Sequence, residues 1–273
     1  VERYWKPGTI VSTNTSGISV HRMVQGRSDA FRRHFLGTHF FNPPRYMKLV
    51  ELIPTEATDP VLIRQISEFC ENKLGKGIVL AKDTPNFIAN RIGTYSLLMT
   101  FQEMKALGMS VSSVDDLTGT LIGRPKSATF RTLDLVGLDT FIHVAENVRQ
   151  QTQDEQESKD FTVPEEMKKL VANGWLGEKS GKGFYEARRQ PNGEKEITQL
   201  DLTSFQYVPR DRVTLASASQ AKNAKSLAER LRILTTTKDD GGRLIWNLLK
   251  RTFLYSASKI PEIADDCSAV DQA

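Results

Sequence analysis

The stretch HFFNPPRYMKLVE, residues 39–51, decides how this 273-residue chain is read. It forms two short extended segments joined at Pro43-Pro44, with a histidine at the near end and a carboxylate at the far end. In the second segment the two-residue period of a strand puts Met47, Leu49, Glu51 and Ile53 on one face and Lys48, Val50 and Leu52 on the other. Glu51 is therefore in line with apolar neighbours. Burying a carboxylate with no partner costs on the order of several kcal/mol, so Glu51 needs either a proton or a hydrogen-bond donor. A histidine suits the need, because a carboxylate that accepts from one ring nitrogen fixes the tautomer and leaves the other nitrogen as a base. His39 is the candidate. The residues alone leave a plainer alternative open, in which Glu51 sits at a strand edge in water and His39 is an ordinary core histidine.

Composition narrows the class. With 39% hydrophobic residues the chain is long enough for two ordinary domains. No run approaches the roughly eighteen apolar residues of a membrane span, and no cationic-then-apolar signal stretch opens the chain, so a soluble, cytoplasmic protein is expected. Cys70 and Cys267 lie in different regions and the four histidines are scattered, which argues against a disulfide framework and a metal site. The net charge of +4, from 37 basic and 33 acidic residues, is interleaved and offers no nucleic-acid-binding face.

Along the chain, TIVSTNTS (residues 9–16) reads as a short strand entering a polar loop, and a basic helical stretch over 23–35 leads into the first extended segment. Asp59-Pro60 gives an N-cap and a first-turn proline, followed by a helical stripe of Leu62, Ile66, Phe69 and Cys70 that stops near Gly75. GIVLAKD (77–83) supplies another strand. From Thr84 the pattern turns helical, with Asp83 or Thr84 as the cap, Pro85 in the first turn, and Phe87, Ile88, Ile92, Tyr95, Leu98, Met99 and Phe101 as an apolar surface. A further helical unit over 111–140 breaks at Gly123-Arg124-Pro125. Residues 149–164 are polar and acidic and are expected to form a mobile loop. EEMKKLVANG (165–174) resumes a helix, and Pro191-Asn192-Gly193 marks a hairpin between two short strands. Two helical patterns, divided at 239–242, fill the remainder.

The 39–51 stretch resembles the catalytic strand pair of the 3-hydroxyacyl-CoA dehydrogenases, and four more motifs match that family in order: NTS (14–16), KDTPNFIANR (82–91), LDLVGLDT (133–140) and GEKSGKGFY (177–185). The resemblance implies an α/β plus all-α fold: the C-terminal part of a Rossmann-type NAD-binding sheet over 1–83, the first half of a helical dehydrogenase domain over 84–186, a hairpin and linker over 187–214, and the start of a second helical half-domain over 215–273. It implies NAD as cofactor and a 3-hydroxyacyl-CoA or 3-oxoacyl-CoA as substrate in fatty-acid β-oxidation. His39 becomes the base and Glu51 its orienting acid. Ser16 and Asn90 are implied to bind substrate, and Ser16, Asn42 and Lys179 to contact the cofactor. No G-x-G-x-x-G turn for the pyrophosphate occurs in the 273 residues. The chain opens at Val1 without a methionine and stops inside a helical pattern, so a piece of a longer protein is expected, poorly active alone.

The helical region also repeats weakly, aligning Leu98 with Leu254, Ser112 with Ser268, Val114 with Val270 and Asp115 with Asp271. Similarity to multifunctional fatty-acid oxidation enzymes implies a truncated second helical repeat, with contacts either to a second copy of the chain or to the rest of such an enzyme. The alternative function is a non-catalytic acyl-CoA-binding or oligomerisation module.

Overall fold

A computed structural model describes residues 1–189, 195–211 and 214–273, and it divides into two compact units: Val1–Gly93 with Leu254–Ala273, and Thr94–Phe253. The Pro191-Asn192-Gly193 turn lies outside the described residues. Among the described residues, no helix is long and apolar enough to cross a membrane.

The first unit is built on four strands, β1 (Val11–Thr13), β2 (Phe35–Phe40), β3 (Leu49–Pro54) and β4 (Gly77–Leu80), side by side in that order. Strands β1 and β2 are parallel, β2 and β3 antiparallel, and β3 and β4 parallel. The alternation expected of β3 holds on both faces. Val50 and Leu52 pack with Leu36 and Leu62 on one side, whereas Leu49 and Ile53 join Val20, Phe31, Phe35, Val79, Phe87 and Ile88 on the other.

Short helices α1 (Val20–Met23) and α2 (Asp29–Arg32) occupy the basic stretch before β2. Helix α3 (Pro60–Leu74) starts where Asp59 accepts from the Val61 amide at 2.9 Å and stops at Gly75, whose φ of 64° is a left-handed value that glycine adopts at little cost. Leu62, Ile63 and Ile66 are its contacts with the sheet. The expected stripe erred at Phe69, which is 52% exposed while Ile63 takes the inward place.

Helix α4 spans Ala89–Ala106 and begins later than the sequence suggested. Asp83 does not cap it. Its carboxylate instead accepts from the amides of Val20 at 2.9 Å and His21 at 2.7 Å and from the Ser19 hydroxyl, so it caps α1.

The second unit contains α5 (Val111–Thr118), α6 (Phe130–Val136), α7 (Leu138–Gln151), α8 (Glu155–Asp160) and α9 (Glu165–Ala172). An antiparallel sheet of β5 (Tyr185–Arg189), β6 (Lys195–Asp201) and β7 (Gln206–Pro209) follows, its third strand unforeseen. The acidic stretch expected to be a mobile loop holds α8, because Asp154 caps the amides of Gln156 and Glu157 and the Glu157 carboxylate, 2% exposed, accepts from Thr152.

Helices α10 (Ala216–Lys222), α11 (Leu227–Thr236), α12 (Asp240–Ser258) and α13 (Cys267–Gln272) close the chain. The weak repeat reappears in the caps. Ser110 caps α5 through the Ser113 amide and Asp266 caps α13 through the Ala269 amide, at matching positions of the alignment. The last twenty residues, expected to be part of a second helical half-domain, pack within the first unit, with Ile263 and Ala264 buried in its core.

Candidate active site

In the antiparallel register His39 lies directly opposite Glu51, so both side chains rise from the same face of the sheet. His39 Nδ1 and Glu51 Oε2 are 2.6 Å apart, with the residues 2% and 0% exposed. The plainer alternative of an exposed carboxylate is excluded.

The other carboxylate oxygen is held by groups that the sequence did not reveal. Glu51 Oε1 accepts from the amides of Ile88 at 3.1 Å and Ala89 at 2.8 Å, where α4 begins. Unpaired amides at a helix start suit a carboxylate oxygen, which can only accept from them. With the Glu51 carboxylate as acceptor on Oε2, His39 donates from Nδ1 and leaves the lone pair on Nε2. The ring is flanked by Phe41 and Phe87, with centroids 4.5 and 5.4 Å away. Those rings pack against the imidazole and help bury its hydrogen bond to Glu51.

The polar loop after β1 is tied to the same place. Asn14 Oδ1 accepts from the Phe40 amide at 2.9 Å, one residue beyond His39, and Thr15 Oγ1 accepts from the Ile18 amide at 3.0 Å. Ser16 is exposed within that bend. Asn42 is exposed just past the end of β2, and Asn90 is half-buried in the first turn of α4, next to Ala89. The structure thus joins His39 directly to Glu51, and chain connectivity carries Asn42 and Asn90 into their neighbourhood. Lys179 belongs to the other unit, where its ammonium pairs with Asp139.

Strands β1 and β2 run parallel, and the loops carrying Asn14, Ser16 and Asn42 leave from their carboxyl ends, the edge where open α/β sheets bind ligands. Exposed amide and hydroxyl groups on that edge fit the polar nicotinamide end of a dinucleotide. Asn14 could have been found from the NTS motif, but nothing in the sequence distinguished it from Ser16. The amides of Ile88 and Ala89 carry no sequence signal at all.

A second polar constellation lies in the other unit. Asp115 accepts from the amides of Thr129, Phe130 and Arg131 and from the Tyr185 hydroxyl, while Asp134 accepts from the amides of Phe184 and Tyr185 at 2.8 and 2.9 Å. Burial raises both carboxyls, Asp134 to about 7 despite its two amide donors, and burial with the neighbouring Asp115 pushes the Tyr185 phenol far up. These bonds explain why LDLVGLDT and GEKSGKGFY occur together: one supplies Asp134, the other the amides that it holds.

Comparison with known proteins identifies the family. The family model described as "3-hydroxyacyl-CoA dehydrogenase, NAD binding domain" matches residues 1–84, and "3-hydroxyacyl-CoA dehydrogenase, C-terminal domain" matches residues 87–187. A probable 3-hydroxyacyl-CoA dehydrogenase of Bacillus subtilis is 52% identical over 273 residues, 100% of this chain and 34% of that protein. Another, of Deinococcus radiodurans, is 51% identical over 185 residues, 68% of this chain and 53% of that protein. The chain therefore spans a third to a half of these curated relatives. A crystal structure of (S)-3-hydroxybutyryl-CoA dehydrogenase from Ralstonia eutropha superposes with a TM-score of 0.57 at 30% identity, covering 64% of this chain and 59% of that one.

Proposed function

The chain belongs to the 3-hydroxyacyl-CoA dehydrogenase family, and from that premise we propose that it serves the NAD-dependent oxidation of an L-3-hydroxyacyl-CoA to the 3-oxoacyl-CoA in fatty-acid β-oxidation. The observation that supports this reading is the buried Glu51 carboxylate, which accepts from His39 Nδ1 on one oxygen and from two helix-start amides on the other.

His39 Nε2 takes the proton of the substrate hydroxyl, and Glu51 offsets the charge that the ring gains. NAD, when bound, accepts the hydride that leaves the same carbon. Ser16 and Asn90 hold the reacting oxygen by hydrogen bonds, fixing the carbon beside the base. Ser16, Asn42 and Lys179 are the residues that would contact the cofactor. A cytoplasmic location goes with this reading, as does contact of the helical region with a second copy or with the rest of a multifunctional chain. Residues 215–273 are, on this reading, the start of a second helical half-domain, although the last twenty pack within the first unit.

Reduction of acetoacetyl-CoA by NADH tests the proposal. A form extended at its amino end with a dinucleotide-binding half that carries a G-x-G-x-x-G turn should turn over. The 273-residue chain should do so weakly, since that turn supplies the amides on which the pyrophosphate rests. A longer form with no turnover, together with calorimetric binding of an acyl-CoA, would favour the binding-module alternative instead.

A further inference from the structure

The amides that hold Glu51 belong to a turn that is itself gripped on both sides by the end of the chain. On one side, the Lys82 amide donates to the Ile263 carbonyl at 3.0 Å, and its ammonium donates to the Pro261 carbonyl at 2.7 Å and pairs with Asp265 at 2.7 Å. On the other, Arg91, 0% exposed, pairs through Nη2 with Glu262 Oε1 at 2.7 Å. Lys259 lies 3.7 Å from the second Glu262 oxygen. Ile263 and Ala264 are buried in the same core cluster as Phe87 and Ile88.

Residues 82 and 91 bracket the segment that delivers the Ile88 and Ala89 amides to Glu51 Oε1. That segment is not a regular helix, since Asn86 and Phe87 have φ of 61° and 55°, in the left-handed region that non-glycine residues rarely adopt. Such backbone holds its shape only where its surroundings fix it. Here the surroundings on one side are residues 259–265. The ion pair with Glu262 ties the buried Arg91 guanidinium to the same segment.

We propose that Glu262 and Lys82 are positioning residues for the His39–Glu51 pair, acting through the turn whose amides hold the carboxylate. Neither touches the imidazole or the acid. With the grip released, the two amides move away from Oε1, Glu51 loses its fixed place, and the His39 Nδ1 bond becomes labile. The kinetic part of this inference rests on the dehydrogenase reading, whereas the structural part does not.

The test uses the 273-residue chain and the substitutions Glu262→Gln and Lys82→Met, with Arg33→Gln as a control, because the exposed Arg33 side chain pairs with Asp59 at 2.8 Å, an ion pair made with neither the 82–91 segment nor residues 259–265. Two readouts are taken on folded protein: exchange of the His39 Nδ1 proton by NMR, and kcat and KM for acetoacetyl-CoA with NADH. The expected result for both substitutions is about tenfold faster proton exchange and about tenfold lower kcat, with KM within about twofold of the parent. The control should match the parent. Two folded variants with parent-like exchange would overturn the positioning role, whatever the turnover. Exchange that accelerates in both while neither the parent nor a longer form turns over would keep the positioning role and overturn the dehydrogenase reading. Should Glu262→Gln fail to fold, Lys82→Met decides alone, since it removes a partly exposed side chain.

Discussion

Gly183 lies so close to Asp134 that a Cβ at this glycine would come within 2.1 Å of Oδ1. Gly177, at a φ of 103°, stands in the same relation to the Asp134 backbone, where a Cβ would meet the carbonyl oxygen at 2.2 Å. Both glycines belong to GEKSGKGFY, and the absence of a side chain lets that loop reach the α6 carboxylate. Gly183→Ala and Gly177→Ala should each destabilise the protein by about 2–4 kcal/mol, through overpacking and, at Gly177, backbone strain. Gly93→Ala, in α4 with open space around the added carbon, should be neutral or stabilising by up to about 1 kcal/mol. Urea midpoints of the three variants check this ranking.

Asp134 makes stability depend on pH with an unusual sign. Its carboxyl is raised from the ordinary value of 3.8 to about 7, chiefly by burial, with Asp115 and Glu178 adding repulsion. Between these values the folded state binds more protons than the unfolded one, so stability falls as pH rises from about 4 to about 7 and then levels off. The loss attributable to Asp134 is at most about 4 kcal/mol. Asp115, also raised by burial, acts in the same direction. Asp134→Asn should be less stable than the parent at pH 5, because its NH2 group opposes an amide donor. Its stability should nevertheless decline less between pH 5 and 8. Urea unfolding of both proteins across that range measures the difference in slope.

Asp83 ties β4 to the start of α1 through three bonds. Asp83→Ala should therefore cost about 1–3 kcal/mol through the loss of charge-assisted hydrogen bonds at a helix start, with the Ser19 cap of the Arg22 amide retained. Thermal unfolding of this variant beside Ser28→Ala, which removes the α2 cap, compares two caps in the same unit.

Much of the first unit was legible because strand period and cap chemistry are local. The alternation around Glu51 and the Asp59-Pro60 start of α3 needed no tertiary information. Asp83 was misread because its acceptors' partners are more than sixty positions away, at Val20 and His21. The acidic stretch before α9 was misread for a related reason. Its composition resembled a solvated loop, but the burial of Glu157 depends on the fold around it. At the site, a carboxylate on an apolar face suggested a partner for Glu51, and the family resemblance singled out His39. The backbone amides of Ile88 and Ala89 could not, because every residue except proline has one.

Glu51→Gln separates orientation from burial. The amide keeps an oxygen for Ile88 and Ala89 but offers His39 no carboxylate, so the ring loses the group that fixes its tautomer and offsets its charge. On the proposed mechanism kcat should fall about 10²- to 10⁴-fold with KM little changed. Steady-state reduction of acetoacetyl-CoA by the extended form gives both constants.

The protonation of His39 tests the account most directly. Long-range nitrogen–proton NMR of the imidazole, assigned by comparison with His39→Gln, reports which ring nitrogen carries the proton in the neutral form. The account predicts a protonated Nδ1, slow to exchange, with Nε2 bare, and loss of that signature in Glu51→Ala. A neutral ring protonated on Nε2, or one whose signals are indifferent to Glu51, would contradict it.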